Sequence, residues 1–159
     1  MIGKVVYAPR YILQEKEPIE GGRELCLYRH YGIDVGDDKI IYFGNLEGES
    51  LVMSRILIAS RLEFSKGSEI LECFRANYSY EISDIVERAY SQLGSDFGGY
   101  DFISNNCEHF ARWCASGLRT STQVFFKNDD QDIVEKCIER LFEPLLELGD
   151  KLDKCLGLK

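Results

Sequence analysis

From Glu24 to Val35, and again from Lys39 to Phe43, the chain is rich in residues that favour strands, and Gly36-Asp37-Asp38 between the two runs signals a hairpin. Side chains alternate along a strand, so Cys26, Tyr28, His30, Gly32 and Asp34 share one face of the first. Ahead of this ribbon, Val5 to Tyr7 and Tyr11 to Leu13 allow one or two short strands among Pro9, Pro18 and the Gly21-Gly22 pair. After it, Leu51 to Ile58 fits a strand or a short helix, and periodicity does not choose between them; Ser68 to Phe74 reads as a further strand.

Helical spacing follows. Ile82, Ile85, Val86, Ala89 and Leu93 fall on one side of a helix over Ser83 to Leu93, with Ser83 as its cap, and Gly94, Gly98 and Gly99 break it. Phe110, Ala111, Cys114 and Leu118 recur at the same spacing just after Asn105 and Asn106, either of which is a natural N-cap, and this helix stops near Gly117. A last helical segment, within about residues 128–159, carries Val134, Ile138, Leu141, Leu145, Leu148 and Leu152 at 4-3 spacing. Pro144 interrupts that stripe, which favours packing back onto the same domain over a coiled coil; a partner or a membrane surface is its other use. A hairpin followed by helices makes the fold class α+β, a small antiparallel sheet packed against helices.

Composition narrows the function classes. A chain of 159 residues holds one domain, 1–159, with a sizeable core. The 27 acidic against 19 basic residues give a net charge of -8, which argues against nucleic acid as a partner and leaves only local contact with a membrane surface. Six scattered cysteines without a CxxC pair read as reduced thiols rather than a disulfide scaffold or zinc site. No apolar run is long enough to span a bilayer and no leader pattern opens the chain, so the expected compartment is the cytoplasm. No cofactor is expected, and no metal: Cys107, His109 and Cys114 cannot converge on one ion from a single helix.

Cys107 falls in the first turn of its helix, where unpaired N–H groups and the helix dipole favour a thiolate, the form that attacks a carbonyl carbon. Its own N–H and the Tyr28 hydroxyl are candidate donors to an oxyanion, with an ordinary packing role for Tyr28 equally open. His109, beside Glu108, suggests support for the site or a substrate-facing role, as does Asn106 ahead of the cysteine.

Two stretches carry a family resemblance. Tyr28-Arg29-His30-Tyr31-Gly32-Ile33-Asp34-Val35-Gly36-Asp37 resembles the histidine box, and Asn106-Cys107-Glu108-His109-Phe110 the NCEHF box, of the lecithin retinol acyltransferase-like branch of the NlpC-type papain-like superfamily. The similarity runs over about residues 23–126, with histidine before cysteine, the permuted order of that branch. The resemblance implies a permuted papain-like fold and acyl transfer through a cysteine thioester, from a phospholipid or other acyl donor to water, an amine or an alcohol. It makes Cys107 the nucleophile and His30 its base. Active animal relatives carry a second histidine twelve positions after the first, where this chain has Tyr42, so Tyr42 is the candidate to orient His30 by a hydrogen bond. With a three-residue hairpin loop Tyr42 shares the face of His30; with a two-residue loop it points away. The readings in competition are an acyltransferase or phospholipase A-like hydrolase, an NlpC-type amidase or peptidase, and a non-catalytic interaction module that keeps the fold.

Overall fold

The computed structural model describes residues 1–11 and 26–122. The chain divides into two compact units, Met1–Gln123 and Val124–Lys159, so the 4-3 stripe of the last segment lies outside the described residues. In chain order the elements are β1 (Val5–Tyr11), β2 (Cys26–Gly36), β3 (Lys39–Gly44), a single 3₁₀ turn (Leu51–Met53), β4 (Arg55–Ser60), α1 (Arg61–Ser65), β5 (Leu71–Glu72), α2 (Ile82–Ser91) and α3 (Cys107–Ser116). The five strands form one antiparallel sheet in the order β4-β3-β2-β1-β5. This is an α+β architecture, a small open sheet with a few helices.

The hairpin joins the two loop lengths weighed above. Asp37 and Asp38 both adopt left-handed φ values, 47° and 59°, as a two-residue turn of the twist-matching type requires. A bulge between Asp34 and Gly36 then adds one residue to β2, so Gly32 pairs with Tyr42 and the side-chain parity is that of the longer loop.

Leu51 to Ile58 divides into the 3₁₀ turn and β4. The strand expected over Ser68 to Phe74 shrinks to two residues, and Pro9 accounts for the limit. Asp34 N–H bonds to Lys4 O and Cys73 N–H to Val5 O, so even positions of β1 turn to β2 and odd ones to β5. Pro9 therefore meets the β5 side without an N–H, and that pairing stops at Tyr7–Leu71. Ser83 does not cap its helix: α2 begins one residue earlier, with Glu81 as an N-cap that makes no side-chain bond. Of the expected apolar side of α2 only Ile85 and Ala89 are buried, while Ile82 and Leu93 are exposed.

The two faces of the sheet are unequal. Val5, Tyr31, Ile33, Ile41, Phe43 and Ile56 pack against Ile85 and Ala89 of α2, Phe97, and Cys107, Phe110, Ala111, Cys114 and Ala115 of α3. On the other face Val6, Ala8 and Ile40 meet Phe64 of α1, with Tyr42 and Ile70 alongside. The one-turn α1 is held by a capping box, in which Ser60 accepts from Glu63 N–H and the Glu63 carboxylate accepts from Ser60 N–H, and by an ion pair from Arg61 to buried Asp34 on β2.

Gly32 is where α1 comes down on the sheet. A Cβ there would lie 2.6 Å from Ile40 Cγ2, 3.0 Å from Ile41 O and 3.2 Å from Phe64 Cε2. Gly32→Ala is expected to destabilise the fold by about 1–3 kcal/mol through overpacking, read as a lowered urea midpoint.

Candidate active site

The approach to α3 is built from side chains bonding main chain. Asp101 and Asn105 exchange N–H···O bonds of 3.0 Å, and Asn105 Nδ2 donates to Phe97 O at 2.9 Å and Gly99 O at 2.7 Å. Asn106 is the N-cap: its Oδ1 accepts from Glu108 N–H at 3.0 Å and His109 N–H at 3.4 Å, while its Nδ2 donates to Phe102 O at 2.7 Å. His109 Nδ1 accepts the Asn106 N–H at 3.1 Å, so this histidine closes a capping box in the place where glutamate usually stands. That bond needs an unprotonated Nδ1, and burial lowers the pKa of His109. Glu108 is wholly buried, and Arg112 Nε at 2.8 Å, Ser121 Oγ at 2.7 Å, Thr122 N–H at 3.0 Å and Thr122 Oγ1 at 2.9 Å donate to its carboxylate. Burial would raise its pKa, and the hydrogen bonds overcome that and hold it low.

Cys107 opens α3 with its sulfur at the free edge of β2. Even residues of β2 turn their main chain to β1, so Arg29 and Tyr31 turn theirs toward β3, whose pairing with β2 begins only at Gly32–Tyr42. Past that point the sulfur fills the gap. Tyr31 N–H donates to Sγ at 3.4 Å, and Sγ–H faces Arg29 O at 3.8 Å, so the thiol straddles His30 much as the next strand would. The hydroxyl of half-buried Tyr100 lies close enough to Cys107 to act on the charge of the sulfur, and that charge, after burial, raises the pKa of Tyr100.

The charge state differs from the thiolate expected of a helix terminus. Cys107 is 1% exposed, and that burial pushes the thiol up to about 11, with the Glu108 charge adding to it. The Tyr31 N–H and the Tyr100 hydroxyl pull the other way and are outweighed. A helix dipole worth about 0.3–1 kcal/mol does not repay the desolvation of a charge.

His30 sits on the opposite face of β2 from Tyr31 and α3, half-buried in an aromatic cluster. Its ring stacks on Phe64 with centroids 5.0 Å apart and an interplanar angle of 27°, and Tyr42 meets it edge-on at 5.0 Å and 74°. Burial, then the charges of Arg10 and Lys66, lower its pKa to about 3. Tyr42 is thus the neighbour that the bulged register makes it, but through a ring edge and not through a hydrogen bond. Tyr28 lies 6.5 Å from His30 by ring centroids, takes a hydrogen bond from Arg10, and is close enough to Cys107 for the sulfur's charge to raise its pKa, after burial. The sulfur thus acts on Tyr28, whose ring meets His30 edge-on.

Tyr100 and Arg10 are the site residues that the sequence did not single out. Tyr100 follows Gly98-Gly99 in a stretch with no periodic signal, and Arg10 lies beside Pro9 in a segment with little visible chemistry. Among the described residues no group of three or more His, Cys, Asp or Glu side chains could hold a metal, and no helix is long and apolar enough to cross a membrane.

The family model for lecithin retinol acyltransferase matches residues 3–120, which take in both boxes and every strand and helix described. The chain belongs to the lecithin retinol acyltransferase family. Within that family it is similar to "Protein LEAD-SENSITIVE 1" of Arabidopsis thaliana, with 29% identity over 154 aligned positions, covering 69% of this chain and 60% of that protein. The chain thus spans about three-fifths of the length of this curated relative.

A folded-state pKa of about 3 for His30, against an unfolded value near 6.5, fixes the sign of its pH effect. The unfolded chain takes up the proton first, so the stability contributed by the buried neutral ring is whole above pH 6.5 and is lost as the pH falls toward 3. Urea titrations of wild type and His30→Gln are expected to show the wild-type advantage shrinking below pH 6.5, by at most about 1.4 kcal/mol per pH unit.

Proposed function

We propose that this protein is a cysteine-dependent acyltransferase or phospholipase A-like hydrolase that works through an acyl thioester on Cys107, in a permuted papain-like arrangement. The observation that carries this reading is the sulfur bonded by Tyr31 N–H, facing Arg29 O and close to Tyr100, so that it meets the main chain on either side of His30; membership of the family adds the chemistry of acyl transfer. The acyl donor is a phospholipid or a similar ester, met by local contact with a membrane surface.

The resting pair is a neutral thiol and a neutral imidazole. As the sulfur attacks the carbonyl carbon, the thiol proton passes to His30, the S–C bond forms and the carbonyl electrons move to oxygen. Cys107 N–H, the Tyr100 hydroxyl and the Tyr28 hydroxyl are the donors available to that oxygen. On collapse the C–O bond breaks and the His30 proton goes to the leaving alcohol, which leaves a thioester for water, an amine or an alcohol to resolve. Proton transfer during attack replaces a thiolate formed beforehand, so His30 matters more here than the helix dipole does.

Mass spectrometry after exposure of the protein to phospholipid vesicles is expected to find one acyl group, on Cys107, absent in Cys107→Ser. His30→Ala should lower turnover about 10²–10⁴-fold and Tyr100→Phe about 10²-fold, with Tyr42→Phe nearly silent. Without substrate, Cys107 should alkylate slowly with iodoacetamide at neutral pH, along a titration centred near 11. No acyl adduct from ester donors, with an adduct from amide donors instead, would assign the site to an amidase; no adduct from either leaves the interaction module.

A further inference from the structure

We propose that Phe64, held in place by Arg10, sets the orientation of the His30 ring, so that α1 is a platform for the base. The proposal rests on the reading of His30 as the base for Cys107.

No hydrogen bond from the described residues reaches either ring nitrogen of His30, and its titration is governed by burial and charge alone. Among the described residues its orientation comes from ring contacts. Of the three aromatic neighbours, Tyr28 and Tyr42 meet it edge-on, at 85° and 74°, and only Phe64 lies nearly flat against it, at 27°. Rotation about the last torsion of an imidazole has a broad, roughly two-fold profile. A flat ring across its face removes that freedom while leaving both nitrogens open to a proton. Tyr42, 5.6 Å from Phe64, closes the third side.

Phe64 is 1% exposed yet stands on a helix of five residues, too short to be stable unaided. The Ser60–Glu63 box and the Arg61–Asp34 pair secure the start of α1. Arg10 secures its end from β1: the guanidinium donates to Phe64 O and, at 2.9 Å, to Ser65 O, the carbonyls that a helix C-terminus leaves unpaired, and also to the Tyr28 hydroxyl. Gly32 supplies the clearance, since a Cβ there would stand 3.2 Å from the Phe64 ring. The groups that face His30 are Arg10 from β1, Lys66 after α1, Tyr28 on its own strand and Tyr42 from β3.

The chain has two histidines, so histidine-labelled full-length protein gives two imidazole signals by NMR. Phe64→Leu keeps an apolar side chain and removes the flat ring; Arg10→Lys leaves every core side chain in place and removes the forked donor; Phe64→Tyr keeps the ring. In the first two, the His30 signals should move and its titration rise toward 6.5, with those of His109 unchanged, and kcat for acyl transfer should fall about 10- to 100-fold at unchanged KM. Phe64→Tyr should retain both the signals and the rate. If Phe64→Leu does not fold, Arg10→Lys alone decides by the same readout. Unchanged His30 signals in a folded Phe64→Leu or Arg10→Lys overturn the platform, even where wild type forms the acyl-enzyme. Shifted signals in a protein whose wild type forms no acyl adduct uphold the platform and overturn the catalytic reading.

Discussion

The contact on which the site depends is the one between the Cys107 sulfur and the unpaired edge of β2. Where the pairing of β2 with β3 ends, the buried N–H of Tyr31 would lose its partner without the sulfur, at a cost of about 1–3 kcal/mol. The sulfur accepts that bond, faces the Arg29 carbonyl, and thereby ties the head of α3 to the central ribbon. The same contact decides its charge. A group that accepts one main-chain bond, faces a main-chain carbonyl and is closed off from water is better neutral than ionised, because a thiolate would oppose the Arg29 carbonyl and the Glu108 carboxylate.

The letters around the cysteine then read as one building unit. Asn106 caps the helix and grips Phe102, Cys107 fills the strand edge, His109 returns the cap bond, and Phe110 enters the core. Glu108 turns the other way and binds the chain at Ser121 and Thr122, which fastens that segment to the start of α3. The buried carboxylate is tolerable because Arg112 and three further donors surround it, a case where a charge in the interior is compensated by hydrogen bonds rather than by charge alone. All five consecutive residues have structural duties, the sulfur's being its contact with the edge of β2.

What was legible in the sequence was what depends on local pattern. Asn106 as a cap and Gly117 as a stop follow from side-chain and backbone preferences within one turn, and the hairpin from its Gly-Asp-Asp turn. What escaped depends on distant partners. The bulge that keeps Tyr42 beside His30 is a property of two strands together. The charge of Cys107 is a property of burial, which no local rule reports. Tyr100 contacts the sulfur only because the Asp101–Asn105 bridge folds its loop back. The helix α1 did leave a trace, Ser60-Arg61-Leu62-Glu63, which is a capping-box pattern, but one turn of helix after a strand has no periodicity to announce it.

The two faces of the sheet divide the work in a way that follows from these contacts. The α3 face supplies bulk: it buries the sulfur, fixes the helix and sets the thiol against ionisation. The α1 face carries His30, half-exposed in a smaller aromatic cluster. The sulfur lies at the edge of the strand between them, bonded to its main chain and closed off from water. With the thiol pushed up and the imidazole pushed down, neither group is charged at neutral pH, and on the proposed mechanism an ion pair arises only when an acyl carbon is in place to receive the sulfur. On that mechanism such a pair trades readiness for discrimination: uncharged at rest, it reacts where a bound acyl group takes the negative charge onto its carbonyl oxygen while the imidazole takes the proton.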